Sequence, residues 1–160
     1  MPSKISLGAA IFIIGAAIAR SANAAPPDDA CLFLTQAQIS AALSVSVGAG
    51  SYVTPTFKKT CTWTATGNAS NGVKFATLFF EGLDAYQAGK LVGQATKTNS
   101  VTPVSGVGDE AYYLTLGNTI VSLIVKKGDA AFKVTVYGSL PIEKKQAMEK
   151  TLAQQIISKL

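Results

Sequence analysis

The chain of 160 residues contains no histidine, so no serine or cysteine nucleophile can be paired with an imidazole base, and the commonest zinc ligand is missing. A serine activated by lysine would need a Ser-x-x-Lys arrangement, which occurs nowhere in the chain. Calcium loops need alternating acidic or amide ligands closed by a glutamate, and none is found. The groups left for chemistry are the carboxylates Glu81, Asp84, Asp109 and Glu110, which as a pair would do general acid and base work of the glycosidase type. Each also has a plainer reading: Asp84 as a helix cap, Asp109 as a turn residue, Glu81 and Glu110 at strand ends. No catalytic set, metal site or cofactor is expected.

Two cysteines remain, Cys31 and Cys61. In an oxidising compartment they have one possible pairing, and a bridge closing about 31 residues is worth roughly 3.5 kcal/mol in the chain-entropy description. A redox site would need a low-pKa thiol, usually in Cys-x-x-Cys, and a separation of 30 offers none.

The compartment follows from the N-terminus. Lys4 precedes an apolar run of 13 residues, Leu7 to Ala19, and Ala22-Asn23-Ala24 gives a small-x-small cleavage pattern. The run is short of the roughly 20 residues of a permanent span, so residues 1–24 read as a cleaved signal peptide and 25–30 as a linker. Arg20, between the apolar run and the cleavage site, leaves an uncleaved anchor as the alternative. The mature chain would carry 12 lysines against 9 acids and no arginine, because Arg20 is the only one. Without bidentate guanidinium contacts and with so small a surplus, no nucleic-acid partner is expected. The pairs Lys58-Lys59, Lys126-Lys127 and Lys144-Lys145 read as solvated turns or as a modest attraction to an anionic surface. Ser105-Gly106-Val107-Gly108-Asp109 is a tight turn rather than a phosphate loop, because it leads into a strand and its glycines are followed by two acids, Asp109 and Glu110.

Beyond the linker, Thr35 caps a helix, Gln38 closes a capping box, and Leu34 and Ile39 form a hydrophobic staple. The stretch through Tyr52, Pro55 and Lys59 reads as loop or irregular edge strand, and Thr60–Thr66 as a strand. A polar loop follows. Its Asn68-Ala69-Ser70 fits a glycosylation sequon and equally a plain turn. Val73–Glu81 is a second strand. Asp84 then opens a helix to about Thr96 whose apolar stripe is Ala85, Ala88, Leu91, Val92 and Ala95, weakened by Gly89 and Gly93. Pro141 opens a last helix to Leu160, with Met148, Leu152, Ile156 and Leu160 recurring every four residues.

Between them, Gly117-Asn118 and Gly128-Asp129 mark two tight hairpins and a three-strand meander over Glu110 to Gly138. If both turns hold two residues, Leu116 opposes Thr119 and Lys127 opposes Ala130, and one face collects Tyr112, Leu123, Val134, Leu114, Val121, Val136, Val125 and Phe132. That face is the expected core. The other carries Tyr113, Ile120, Ile124, Lys133 and Tyr137, an aromatic and aliphatic patch with a lysine, and is the expected binding face unless a loop or helix covers it. The expected fold is α+β: one domain over residues 31–160, a roughly five-stranded antiparallel sheet in the order α-β-β-α-β-β-β-α, helices mainly on one face.

Three segments, Cys31-Leu32-Phe33-Leu34-Thr35, Cys61-Thr62-Trp63 and Val104 through Tyr112 with its Gly106-Val107-Gly108-Asp109, resemble those of small secreted bacterial domains of unknown function, whose best-known relatives are actinobacterial envelope lipoproteins. The resemblance covers about Cys31 to Leu160. It implies an α+β domain with a disulfide between first helix and central strand and no established enzyme activity. The chain departs from these relatives in lacking the lipid-attachment cysteine. The expectation is therefore a periplasmic or extracellular, non-catalytic interaction domain that meets an envelope protein or small ligand and has no stable transmembrane anchor. A small hydrolase using paired carboxylates and a purely structural envelope protein are the alternatives.

Overall fold

The computed structural model describes residues 27–67 and 71–160. The expected signal segment, the start of the linker and the Asn68-Ala69-Ser70 sequon lie outside the described residues. After a 3-10 turn at Ala30–Leu32 come α1 (Gln36–Leu43), β1 (Ser51–Tyr52), β2 (Thr60–Thr64), β3 (Val73–Glu81), α2 (Leu83–Ala95), β4 (Asn99–Val104), β5 (Glu110–Leu116), β6 (Ile120–Lys127), β7 (Ala130–Gly138) and α3 (Ile142–Ile157). The fold is α+β, as expected, but the antiparallel sheet has seven strands in the order β1-β2-β3-β7-β6-β5-β4. The two additional strands are its edges. β1 is two residues long and β4 has the composition of a loop, Asn-Ser-Val-Thr-Pro-Val, so neither carries a strong strand pattern.

Both edges are protected against further pairing. The carbonyl of Thr98 accepts the Gly117 N–H at 3.1 Å, so by alternation the even residues of β4 bond to β5 and the odd ones face outward. Pro103 is one of the outward residues and has no N–H to donate.

The N-terminal punctuation forms as its chemistry dictates. Thr35 and Gln38 exchange both bonds of the capping box, and Leu34 and Ile39 are buried. Cys31 and Cys61 are joined, Cα to Cα 5.0 Å, tying the 3-10 turn to β2 beside the buried Trp63. Asp29 reinforces the strap by accepting from the Tyr52 hydroxyl at 2.7 Å and from the Cys31 N–H at 3.2 Å.

Two of the three helices, α1 and α3, share one face of the sheet, where the helices are mainly expected, and α2 lies on the other. α1 and α3 bury Ile39, Leu43, Leu152, Ala153 and Ile156 against Ala76, Leu78, Phe80, Leu123, Val125, Phe132 and Val134, while α2 covers part of the opposite face through Tyr86. The cap of α2 is Gly82, without a side-chain bond, and Asp84 sits exposed in the first turn. The expected stripe of α2 faces solvent: Leu91 is 66% and Val92 63% exposed. Its docked side is Tyr86 and Gly93 instead, and Gly93 permits the close approach, since a Cβ there would stand 2.8 Å from both Leu114 Cδ1 and Val101 Cγ2.

The meander holds one expected register and shifts the other. Lys127 pairs with Ala130, but Leu116 pairs with Ile120 rather than Thr119, so Gly117, Asn118 and Thr119 form a three-residue connection. A lysine from α3 holds the extra residue: Lys145, 4% exposed, donates to the Thr119 carbonyl at 2.6 Å. That burial also corrects the reading of Lys144-Lys145 as a solvated pair. The one-residue slip moves every β5 side chain to the opposite face. Tyr113 now stands with Leu123 on the α3 side, where its hydroxyl donates to the Gln146 carbonyl at 2.9 Å, and Tyr112 stands with Ile124 under α2.

Replacing both cysteines by serine is expected to lower the free energy of unfolding by about 3.5 kcal/mol. Urea unfolding of the variant beside the oxidised parent checks this.

Candidate functional site

The register places the second sheet face in rows. Glu110, Lys126, Ala131 and Glu81 form the first, Tyr112, Ile124, Lys133 and Phe79 the second, and Leu114, Ser122, Thr135 and Thr77 the third. Beyond them lie Leu116 with Ile120, and Tyr137 with Phe75. Tyr86 of α2 packs on Tyr112, Ile124 and Ala131, covering the first two rows from β5 as far as Ala131 of β7.

Of the residues expected on a binding face, Tyr113 is on the other side of the sheet at 9% exposure, and Ile124 is 3% exposed beneath α2. Ile120, Lys133 and Tyr137 keep access to solvent. The accessible patch extends toward β3 and β2, through residues the sequence reading did not assign. Phe75 stacks on Tyr137 with ring centroids 4.4 Å apart, the Lys133 ammonium lies 5.4 Å from the Phe79 ring, and Phe57 reaches in from the β1–β2 loop at 6.2 Å from Phe79. Thr60, Thr62 and Thr77 are half-buried between these rings and lysine, and Thr64 is exposed. The alternation Phe75, Thr77, Phe79 marks one face of a strand, but only the pairing of β3 with β7 brings it beside Lys133 and Tyr137. The patch joins flat aromatic surface, hydroxyl groups and one cation, a composition suited to contact area and hydrogen bonding.

The carboxylates are engaged separately. Asp109 accepts from the Gly128 N–H at 2.7 Å and from Lys127 at 2.8 Å, fastening the β6–β7 turn, and these donors hold its pKa below the ordinary carboxylate value. Glu110 is ion-paired to Lys90 of α2, which lowers it likewise. Glu81 is raised by burial, with Lys133 opposing. In their shared row the backbones of Glu81 and Glu110 stand three strand spacings apart, about 14 Å, whereas paired glycosidase acids need carboxyls within about 9.5 Å. The Tyr112 hydroxyl donates to the Tyr86 carbonyl at 3.1 Å, and burial pushes Tyr112 up to about 12. Tyr86 is raised further, first by burial and then by Glu110. Among the described residues no cluster of three or more acidic, cysteine or histidine side chains could hold a metal ion, and no helix is long and apolar enough to cross a membrane.

A shallow groove of about 250 Å³ between α1 and α3 is lined by Ala42, Ser44, Lys144, Ala147, Met148 and Thr151, and presents a single charged group.

The least expected ionisable group is Glu149, 0% exposed on α3. The β6–β7 ladder ends at Ser122 and Thr135 although both strands continue, and there Glu149 Oε1 accepts the Val136 N–H at 2.9 Å. Its other oxygen has no partner, and Lys145, one turn before it, is directed at Thr119. A buried carboxyl without a counter-ion keeps its proton. Burial raises Glu149 to about 9, with Val136 and Lys145 opposing.

Compared with known proteins, the chain matches no family model, no curated protein and no solved structure.

Folding therefore binds a proton at Glu149 between its ordinary value of 4.5 and about 9. The resulting stability is full below that window and is lost as pH rises through it, by up to about 1.4 kcal/mol per pH unit. Thermal melts from pH 5 to pH 9 are expected to show Tm falling with pH, and Glu149→Gln, which retains an acceptor for Val136, to flatten the slope.

Proposed function

We propose that the chain is an exported, non-catalytic interaction domain of the bacterial envelope, which takes its partner on the uncovered part of the second sheet face. The observation that carries this reading is the partly exposed Phe75–Tyr137 stack, continued by Phe79 and Lys133, on the β3 and β7 side of this face, beyond the contact of Tyr86 with Tyr112, Ile124 and Ala131. Solvent-facing aromatics of this kind supply contact area at low entropic cost, and a lysine at their margin orients a polar partner. Ile120 extends the apolar margin at 37% exposure.

The non-catalytic part rests on the carboxylates: Asp109 and Glu110 are held by lysines, and the backbones of Glu81 and Glu110 lie far apart. The envelope setting rests on the apolar N-terminal run with its cleavage pattern, on the resemblance to secreted bacterial domains, and on the disulfide, which suits an oxidising compartment.

The test is a pulldown from envelope extract with the natively exported protein and with Tyr137→Ala/Ile120→Asp. Losing the ring pairing is expected to cost about 1 kcal/mol beyond the area lost. Loss of the captured partner is the expected result. An unchanged set of partners, with the variant folded by circular dichroism, removes this face from the assignment.

A further inference from the structure

The outward side of α2 is a second, separate surface. On a helix of 3.6 residues per turn, Tyr86, Gly89, Lys90 and Gly93 fall on one side, and Ala85, Ala88, Leu91, Val92 and Ala95 fall opposite them. The first group meets the sheet, and all five of the second are exposed. An apolar stripe running the length of a 13-residue helix, with no charged residue among its five members, is unusual on a surface that needs only solubility.

The stripe is self-complementary under a two-fold axis. Rotation about the helix midpoint, near Lys90, sets Ala85 opposite Ala95 of a second copy, where two small residues let the helices approach, and Ala88 opposite Val92. Leu91 closes the centre. The same rotation brings Asp84, exposed in the first turn, next to Lys97 of the other copy, exposed just past the last turn, and does so at both ends. Among the described residues neither Asp84 nor Lys97 has an ion-pair partner within the chain. Two helices crossing antiparallel also align their dipoles favourably, and alanines at the contact allow an interaxial distance near 8 Å.

We infer that the chain forms a symmetric homodimer through the outer faces of two antiparallel α2 helices, the partner being a second copy of this chain. The helix is about 20 Å long, which places the contact at the small end of specific interfaces, so association is weak and concentration-dependent. The partner face at Phe75 and Tyr137 is not used in this contact and stays available in the dimer.

Sedimentation equilibrium of protein produced from the full-length chain, from about 1 μM to 500 μM, is expected to show the mass rising from one chain toward two, with Kd in the micromolar range. Leu91→Asp/Val92→Asp is expected to remain monomeric throughout. Both positions are solvent-exposed, and a circular dichroism spectrum identical to the parent's confirms the fold. Asp84→Lys is expected to weaken association about tenfold, and Asp84→Lys/Lys97→Glu, which exchanges the charges, to restore it. A parent chain monomeric at 500 μM overturns the inference. So does a dimer that survives Leu91→Asp/Val92→Asp, and so does a charge exchange that fails to recover what Asp84→Lys loses.

Discussion

The ammonium of Lys145, buried against the carbonyl of Thr119, ties the last helix to a turn between two strands, and the arrangement of the sheet depends on it. A buried cation is tolerated only where a fixed oxygen receives it. Thr119 supplies that oxygen as the third residue of the β5–β6 connection. With it in place, β5 presents Ala111 and Tyr113 to α3 and Tyr112 and Leu114 to α2. Because the two helices cover opposite faces, both tyrosines are buried and each hydroxyl reaches a helix carbonyl, Gln146 for one and Tyr86 for the other.

Four residues along the same helix, Glu149 occupies the place where β6 and β7 part. The strand ladder leaves the Val136 N–H without a strand acceptor there, and the carboxyl supplies one. No ion pair to it forms among the described residues, and burial outweighs the opposing pull of Lys145, so its proton belongs to the fold. α3 thus carries two buried polar anchors, one cationic and one neutral, and both bond to backbone groups of the sheet. Buried polar groups of this kind specify a single docking position for a helix whose apolar residues alone would permit several.

α2 is docked by the opposite logic. Its inner side is Tyr86, two glycines and Lys90, a narrow contact that sits close to the sheet and is pinned by the Lys90–Glu110 pair. The helix therefore shields its face from β4 as far as Ala131 of β7 and leaves Phe75, Phe79, Lys133 and Tyr137 beside it. The same choice turns the more hydrophobic side of the helix outward.

Local chemistry could be read directly. The capping box at Thr35 and Gln38, the single possible disulfide, the Gly128-Asp129 hairpin, the Asp109 turn and the α+β class all depend on neighbours in sequence or on elimination, and the residues by themselves determined them. Asp84 lies in the first turn and is not the cap: an acid before an apolar stripe suits either position, and the helix begins two residues sooner, from Gly82. The candidate site was legible only in part. Lys133, Tyr137 and Ile120 follow from the β6–β7 register, whereas Tyr113 and Ile124 were lost to it by a one-residue slip in β5 and by the cover of α2. Phe75 and Phe79 entered it because β3 pairs with β7. Those outcomes lay with the tertiary structure for a physical reason: either register of β5 buries apolar side chains when both faces are covered, and either side of α2 offers enough surface to dock. Where local preferences balance, the decision passes to distant groups, here a lysine 26 residues beyond the carbonyl it holds and two glycines that let a helix approach its sheet.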